Sequence, residues 1–135
     1  MALSALKPLP YPRVPVTLGD HMKKRRIELG QLQRDAARDL GVSQSTLIAW
    51  ETNRATPSVC FLPRIIAFLG YDPYPEPQTL GAQIVAKRRR LGLPRKHLAE
   101  HLGVDEGTLA MWERGVRSPS ERCLRIVAQF LSSDS

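Results

Sequence analysis

The side chains that could perform catalysis or bind a metal do not form a recognisable site in this sequence. His97 and His101 are four residues apart, which places two imidazoles on one helix face, but no third ligand is evident nearby. Cys60 and Cys123 form no CxxC motif and are predicted to be free thiols. The sequence has no glycine-rich phosphate loop and no GxSxG motif. We therefore expect no enzyme, no metal site and no cofactor.

Basic side chains give the clearest chemical signal. The chain has 20 Lys and Arg against 13 Asp and Glu, a net charge of +7 and an isoelectric point near 10.0. Such an excess is typical of proteins that bind nucleic acid or an anionic membrane. No apolar run approaches the roughly 20 residues needed to span a bilayer, and the proline-rich tail over residues 1–16 lacks the apolar core of a signal peptide. We expect a nucleic-acid partner, no membrane and a cytoplasmic location.

Two stretches of the chain repeat each other, without a gap, at an offset of 62 residues. The matching segments are Thr17-Leu18-Gly19 with Thr79-Leu80-Gly81, Leu40-Gly41-Val42 with Leu102-Gly103-Val104, Thr46-Leu47 with Thr108-Leu109, Trp50-Glu51 with Trp112-Glu113, and Pro57-Ser58 with Pro119-Ser120. A repeat that fills most of a chain indicates two small domains. We expect them at residues 17–70 and 79–131, joined by a linker over 71–78 and followed by a tail over 132–135.

Each copy has the pattern of four short helices. In the first copy, steps of three and four residues predict a helix with one inward stripe, formed by Leu18, Met22, Arg26 and Leu29. That helix should end at Gly30, and further helices are predicted over residues 33–40 and 44–52 and after a cap at Ser58. The second copy predicts helices over residues 80–91, 94–102, 106–114 and 120–131. The expected fold class is all-α, with two tandem four-helix units.

The segment between the copies has proline at alternate positions, Pro73, Pro75 and Pro77. Alternate prolines favour an extended polyproline conformation, so the linker is predicted to be a stiff spacer. At ~3.1 Å per residue it reaches roughly 25 Å. With the radii of two small domains, that suffices to set the two units about one turn of a DNA duplex, ~34 Å, apart.

The segments that repeat are also those that resemble a known family, the lambda-repressor-like helix-turn-helix regulators (phage repressor and Cro, or XRE, family). The resemblance rests on Leu40-Gly41-Val42-Ser43-Gln44-Ser45-Thr46 and Trp50-Glu51 in the first copy, and on Leu102-Gly103-Val104, Thr108-Leu109 and Trp112-Glu113-Arg114-Gly115 in the second. It extends over roughly residues 17–131. It implies two helix-turn-helix units, double-stranded DNA as partner and a source in a bacterium, phage or mobile element.

The resemblance places the third helix of each copy in the major groove of DNA. The expected base readers are the residues at the start of this helix in the first copy, Ser43, Gln44 and Ser45. A Gln amide can form two hydrogen bonds with adenine N6 and N7. The expected phosphate ligands lie at the start of the second helix and just after the third: Gln33, Asn53 and Arg54.

The second copy differs at the reading positions, where Asp105, Glu106 and Gly107 stand. Carboxylates are repelled by DNA unless they accept from cytosine N4. Yet residues 79–135 carry 10 basic against 6 acidic side chains, a balance of +4, and residues 17–78 carry 8 against 7, a balance of +1. We interpret the second unit as one that grips phosphates and reads sequence poorly or not at all. Its expected phosphate ligands are Arg95, Lys96, Arg114 and Arg117. In the rival interpretation this unit is a surface that binds a protein.

Arg26 with Glu51, repeated as Arg88 with Glu113, occupies positions where the family has a buried ion pair between the first and third helices. We expect these four residues to be structural, and loss of one partner should destabilise the unit because it strands a buried charge. The basic runs over residues 23–26 and 87–90 are otherwise expected to be solvated faces or steering charge.

The leading functional hypothesis is a sequence-specific regulator of transcription, most simply a repressor that occludes a promoter. It would bind DNA as a pseudo-dimer within one chain or as a true homodimer, associated with the nucleoid. The alternative is a protein-interaction module, such as an antiactivator or an antitoxin-like partner, that keeps the helix-turn-helix fold.

Overall fold

The computed structural model describes residues 14–133. These residues form eight α-helices and a short 3₁₀ turn, Val59–Phe61, with no strand among them. The helices are α1 (Leu18–Glu28), α2 (Gln33–Leu40), α3 (Gln44–Glu51), α4 (Leu62–Leu69), α5 (Leu80–Leu91), α6 (Arg95–Leu102), α7 (Glu106–Arg114) and α8 (Glu121–Ser132). The expected all-α fold is confirmed. Most of the expected amino-terminal tail and the last two residues of the carboxy-terminal tail lie outside the described range.

The chain divides into two compact units. The first contains the described residues up to Pro57 together with Arg64–Pro73. The second contains Ser58–Pro63 and the described residues from Tyr74 onward. The domain limits expected from the sequence, 17–70 and 79–131, remain a prediction about segments that fold independently.

In the first unit, α3 packs against both α1 and α2. The apolar side chains that this copy buries come from all its helices: Met22, Ala36, Ala37, Leu40, Leu47, Trp50, Ile65 and Leu69. Trp50, near the carboxyl end of α3, is the largest of them. Burial of such side chains is the main stabilising contribution in a unit this small.

The second unit repeats the arrangement, with α7 packed against α5 and α6, and α8 against α5. Its core is one cluster of buried side chains: Ile84, Leu98, Ala99, Leu102, Leu109, Trp112, Val127 and Phe130. Leu47 and Leu109, like Trp50 and Trp112, are 62 residues apart and buried in both copies. The sequence repeat is therefore a repeat of core positions.

Hydroxyl side chains define the starts of four helices. Thr17 and Asp20 form a reciprocal capping box at α1, while Ser43, Thr79 and Ser120 each accept a backbone N–H at the start of α3, α5 and α8. These caps satisfy donors that the first turn of a helix would otherwise leave unpaired.

Two details of the predicted helices are wrong. Ser58 makes no capping hydrogen bond, because the chain first forms the 3₁₀ turn and α4 begins only at Leu62, with Pro63 in its first turn. Leu29 is 48% exposed because α1 has already ended at Glu28, so the inward stripe stops one turn earlier than its spacing predicts.

None of the helices within residues 14–133 is long and apolar enough to cross a bilayer.

Candidate nucleic-acid interface

The first turn of α3 is exposed on the surface of the first unit. Ser43 Oγ accepts the backbone N–H of Thr46 at 3.2 Å and lies 3.2 Å from Ser45 Oγ, so both hydroxyls are held close to the helix end. Gln44 is also exposed, and its amide makes no hydrogen bond to another side chain or carbonyl within residues 14–133. Of the three expected base readers, Gln44 has the amide that is free for an external partner.

A buried ion pair fixes the other end of α3 to α1. Arg26 Nε and Nη2 donate to the two oxygens of Glu51 at 2.7 and 3.0 Å, and the Glu51 side chain is only 1% exposed. Arg26 Nη1 also donates to the backbone carbonyl of Gln31 at 3.1 Å. A bidentate pair with this extra bond leaves little rotational freedom to either side chain. The helix that presents Gln44 is therefore held rigidly against its scaffold.

A glycine brings α1 and α3 into unusually close contact. A Cβ at Gly19 would overlap the backbone carbonyl oxygen of Trp50, and a Cβ at Gly81 would overlap that of Trp112 in the second unit. The two glycines occupy the same position of the repeat. Each copy therefore needs glycine there because the backbone at the carboxyl end of the third helix lies against the start of the first.

Gln33 stands at the start of α2, where a phosphate contact is expected. Its Nε2 donates to Glu51 Oε1 at 3.1 Å, so in this structure the amide belongs to the same cluster as the ion pair. The residue before it, Leu32, provides no side-chain cap for α2. The first backbone N–H groups of α2 are thus left without the capping oxygen that α1 and α3 have.

Asn53 lies just after α3 with a left-handed backbone, φ +61°. Its Oδ1 accepts the Thr17 hydroxyl at 2.7 Å, and its Nδ2 donates to Asp20 Oδ1 at 3.2 Å. Burial opposes the ionisation of Asp20, but hydrogen bonds from the backbone N–H groups of Thr17 and Val16 and from Asn53 hold the pKa of its carboxyl below the usual value. Asn53 therefore links the end of α3 to the start of α1, while Arg54 beside it is exposed and donates to Thr52 Oγ1 at 3.2 Å.

The corresponding first turn of α7 in the second unit is exposed and acidic. Asp105 accepts the Thr108 hydroxyl at 2.6 Å but makes no capping bond to the backbone. Glu106 and Gly107 follow, both exposed. The second unit thus presents two carboxylates and no side-chain amide at this place.

The ion pair of the second unit contains an additional cation. Arg88 Nε and Nη2 donate to Glu113 at 2.9 and 3.3 Å, and Arg95 Nε donates to the same carboxylate at 2.8 Å. The Glu113 side chain is 2% exposed, whereas that of Arg95 is 40% exposed. Arg95 is the positional equivalent of Gln33. It therefore makes the same internal bond and also carries a positive charge at the surface.

The other three expected phosphate ligands of the second unit are close in sequence to Arg95 or Glu113. Lys96 follows Arg95 on α6, Arg114 ends α7, and Arg117 lies in the loop after it. All three are exposed. They supply positive charge at the start of α6 and at the end of α7.

Two basic residues expected to be solvated have structural roles instead. Arg25 Nε donates to the carbonyl of Phe68 at 3.2 Å. Lys87, only 8% exposed, lies 5.4 Å from the ring centroid of Phe130 and donates to the carbonyls of Leu131 and Ser133. Both bind the carboxyl end of the last helix of their copy, where a cation is favourable. The repeat itself was an available signal, because each basic residue and its phenylalanine recur at the 62-residue offset.

Two tyrosines of the linker are attached to the folded units. Tyr71 Oη lies 2.6 Å from His21 Nδ1 in the first unit, and the guanidinium of Arg89 lies 3.7 Å from the ring centroid of Tyr74 in the second. Burial lowers the pKa of His21, Lys24 lowers it further, and Asp20 opposes the shift. Burial and the nearby Glu28 raise the pKa of Tyr71, with Arg25 acting against them.

Within residues 14–133, no group of three or more His, Cys, Asp or Glu side chains could hold a metal ion.

Comparison with known protein families matches the helix-turn-helix family twice, at residues 22–74 and at residues 84–134. Both matches include the second and third helices of a copy and the turn between them. No curated protein and no solved structure matches the chain significantly. Since the two matches together cover more than half of the chain, the protein belongs to the helix-turn-helix family of the lambda-repressor-like (XRE) type, as two tandem copies of its DNA-binding motif.

Proposed function

We propose that the protein is a sequence-specific regulator of transcription, most simply a repressor that occludes a promoter. In this proposal the first unit reads bases in the major groove, and the second unit mainly binds phosphates. The observation that carries it is the contrast between two equivalent helix starts. α3 presents the unpaired amide of Gln44, whereas α7 presents Asp105 and Glu106 on the same scaffold.

Base reading by the first unit requires a side chain that can recognise a base edge and a helix that does not move. The NH₂ group of the Gln44 amide can donate to N7 of adenine, and its carbonyl oxygen can accept from the N6 amino group. The Arg26–Glu51 pair fixes α3 to α1 at the opposite end of the helix. Ser43 and Ser45 add hydroxyls beside Gln44, and these can donate to or accept from a neighbouring base.

Phosphate binding by the first unit is supported by the start of α2 and by the loop after α3. Leu32 cannot cap α2, so the backbone N–H groups there are suited to a phosphate oxygen next to Gln33. Arg54 is exposed and adds a cation after α3. Asn53 is the weakest of the three expected ligands, because its amide already binds Thr17 and Asp20.

In the second unit, the charge balance supports binding to DNA phosphates rather than recognition of bases. Pro94 leaves α6 without a side-chain cap, just as Leu32 leaves α2, and Arg95 and Lys96 follow at once. Arg114 and Arg117 add exposed cations at the end of α7 and after it. Cations at the starts of such helices contact the DNA backbone and give affinity without sequence preference.

Selection of bound duplexes from a random DNA library, at about 150 mM salt, tests this proposal. The wild type would be compared with a Gln44→Ala/Ser45→Ala variant and with an Asp105→Ala/Glu106→Ala variant. We expect one half-site to be enriched and to disappear only with the first variant. Enrichment of two half-sites, each sensitive to its own unit, would contradict the division of roles.

A second candidate function is a protein-interaction module, favoured by the exposed carboxylates of Asp105 and Glu106 on α7. These groups suit a basic protein surface better than a polyanion. If the wild type enriches no DNA sequence in the selection, this candidate replaces the regulator.

The proposed location is the cytoplasm of a bacterium or a phage-infected cell, in association with the nucleoid. Two covalently joined helix-turn-helix units are sufficient for a pseudo-dimer on adjacent sites, and a homodimer would bring four units to the DNA.

A further inference from the structure

Gly107 is a glycine for which the fold gives no reason. All nine glycines of the chain lie within residues 14–133, and six of them have a positive φ that disfavours other residues. Gly19 and Gly81 lie against the carbonyls of tryptophans. Gly107 has neither feature: it is the second residue of α7, without a positive φ, and no atom lies within 4 Å of the place where its Cβ would be.

The fold would accept almost any side chain at this position. Gly107 is exposed, so a side chain there would point into open space. Glycine is also the poorest helix former apart from proline, because fixing its backbone costs the most conformational entropy. The protein therefore forgoes some helix stability at Gly107 and gains no internal contact in return.

Position 107 is equivalent to Ser45 of the first unit, which stands beside Gln44 on the proposed reading surface. The second unit also has exposed cations at Lys96 on α6, at Arg114 at the carboxyl end of α7, and at Arg117 after it. Residues 79–135 carry a balance of +4, which complements a polyanion. The absent side chain thus lies beside two carboxylates, Asp105 and Glu106, in a unit whose overall charge complements DNA.

We infer that Gly107 sets how closely the backbone of α7 approaches DNA, and that it is an affinity-determining residue of the second unit. Without a side chain at this position, the first turn of α7 can lie against the edge of the groove. The cations on α6 and after α7 then reach the phosphates. This inference rests on the proposed function and deepens it: the second unit depends on close approach, whereas the first depends on the Gln44 amide.

The test uses the full chain with Gly107→Ala, Gly107→Ser and Gly107→Gln. Each variant would be measured for its thermal unfolding temperature and for its affinity to a duplex that the wild type enriches. Gln83→Ala, at an exposed position of α5, is the control for a helix substitution away from the interface. The Gln44→Ala variant reports independently whether the first unit reads DNA.

We expect the unfolding temperature to rise with Gly107→Ala and not to fall with Gly107→Gln, because both residues favour a helix. DNA affinity should be reduced least by Gly107→Ala, more by Gly107→Ser and most by Gly107→Gln, for which we expect a loss of about tenfold or more. If the Gly107→Gln variant binds DNA as tightly as wild type while Gln44→Ala loses binding, the inference is wrong and the proposed function stands. Failure of the wild type to bind any duplex would instead overturn the proposed function.

Discussion

At the scale of single residues, the two copies differ most clearly at the start of their second helices. Gln33 and Arg95 are equivalent, and each donates to the buried glutamate of its own copy, at 3.1 and 2.8 Å. The first cluster contains one cation and one anion and is neutral. The second contains two cations and one anion and has a charge of +1. Because the carboxylate orients Arg95, the proposed contact of its guanidinium with a phosphate would cost less side-chain entropy.

We predict that Arg95→Gln lowers the salt dependence of DNA binding. Each neutralised phosphate contributes about 0.9 to the slope of log affinity against log salt, so the slope should fall by about 1. Thermal stability should change little, because Gln33 makes the equivalent bond in the first unit. Titrations by fluorescence anisotropy at several salt concentrations measure the slope.

The reciprocal Gln33→Arg variant should raise the slope by a similar amount. Arg125→Gln, which removes an exposed charge from α8, is the matched control and should leave the slope unchanged. An Arg95→Gln slope equal to that of wild type would mean that this guanidinium does not contact phosphate.

At the scale of the elements, α3 and α7 are each fixed at the carboxyl end and exposed at the amino end. At the carboxyl end, the buried glutamate pairs with an arginine of the first helix of its copy. The close glycine contact, with the carbonyl of Trp50 or Trp112, is at the same end. The amino end of α3 begins after Ser43, and that of α7 begins after Asp105. The side chains that follow in the first turn are exposed. This arrangement keeps the helix in place and leaves its first turn for a partner.

Gly81→Ala should destabilise the second unit, because the new methyl group would overlap the carbonyl oxygen of Trp112. Overpacking of this kind costs about 1–3 kcal/mol. Denaturant unfolding gives the change, and Gly107→Ala, in open space of the same unit, is the control with the opposite expected sign. Equal effects of the two substitutions would refute the close-contact explanation.

Burial of His21, whose Nδ1 lies 2.6 Å from Tyr71 Oη, makes the stability of the first unit depend on pH. Burial lowers the pKa of His21 below its ordinary value of 6.5, so between the folded and unfolded pKa values the unfolded chain binds more protons. The contribution of His21 is therefore fully present above about pH 6.5 and is lost as the pH falls through the folded pKa. We expect thermal stability to decrease on acidification from about pH 7.5 to about pH 5.5, and His21→Gln to reduce that dependence. An identical pH profile for wild type and variant would contradict this prediction.

The sequence predicted the elements better than the contacts of long polar side chains. Ser43 and Gly41 act locally on the backbone, as a helix cap and at a turn, so the helix limits beside them could be predicted from the sequence. The tertiary partners of basic side chains could not, because a flexible chain can reach either solvent or a helix end. Arg25 and Lys87 were therefore misassigned to a solvated face. For the same reason, the bonds of Gln33 and Arg95 to buried glutamates were not expected.

At the scale of the whole molecule, two copies of one motif differ in charge and in the side chains at the start of their third helices. The first has a balance of +1 over residues 17–78 and an amide at Gln44, and the second has +4 over residues 79–135 and carboxylates at Asp105 and Glu106. Because the two units are covalently linked, the second unit meets DNA at a higher local concentration once the first has bound. A unit that grips without reading can therefore strengthen the binding of one that reads.

The most direct test of this division of roles compares affinities for an enriched duplex and for a scrambled one of the same length. We predict that Gln44→Ala weakens binding to the enriched duplex by about 1–3 kcal/mol, while binding to the scrambled duplex stays nearly unchanged. Lys96→Ala/Arg117→Ala should weaken binding to both duplexes equally and lower the salt slope by about 2. If Gln44→Ala weakens both equally, or the double variant abolishes discrimination between the duplexes, the assignment of reading to the first unit and gripping to the second is wrong.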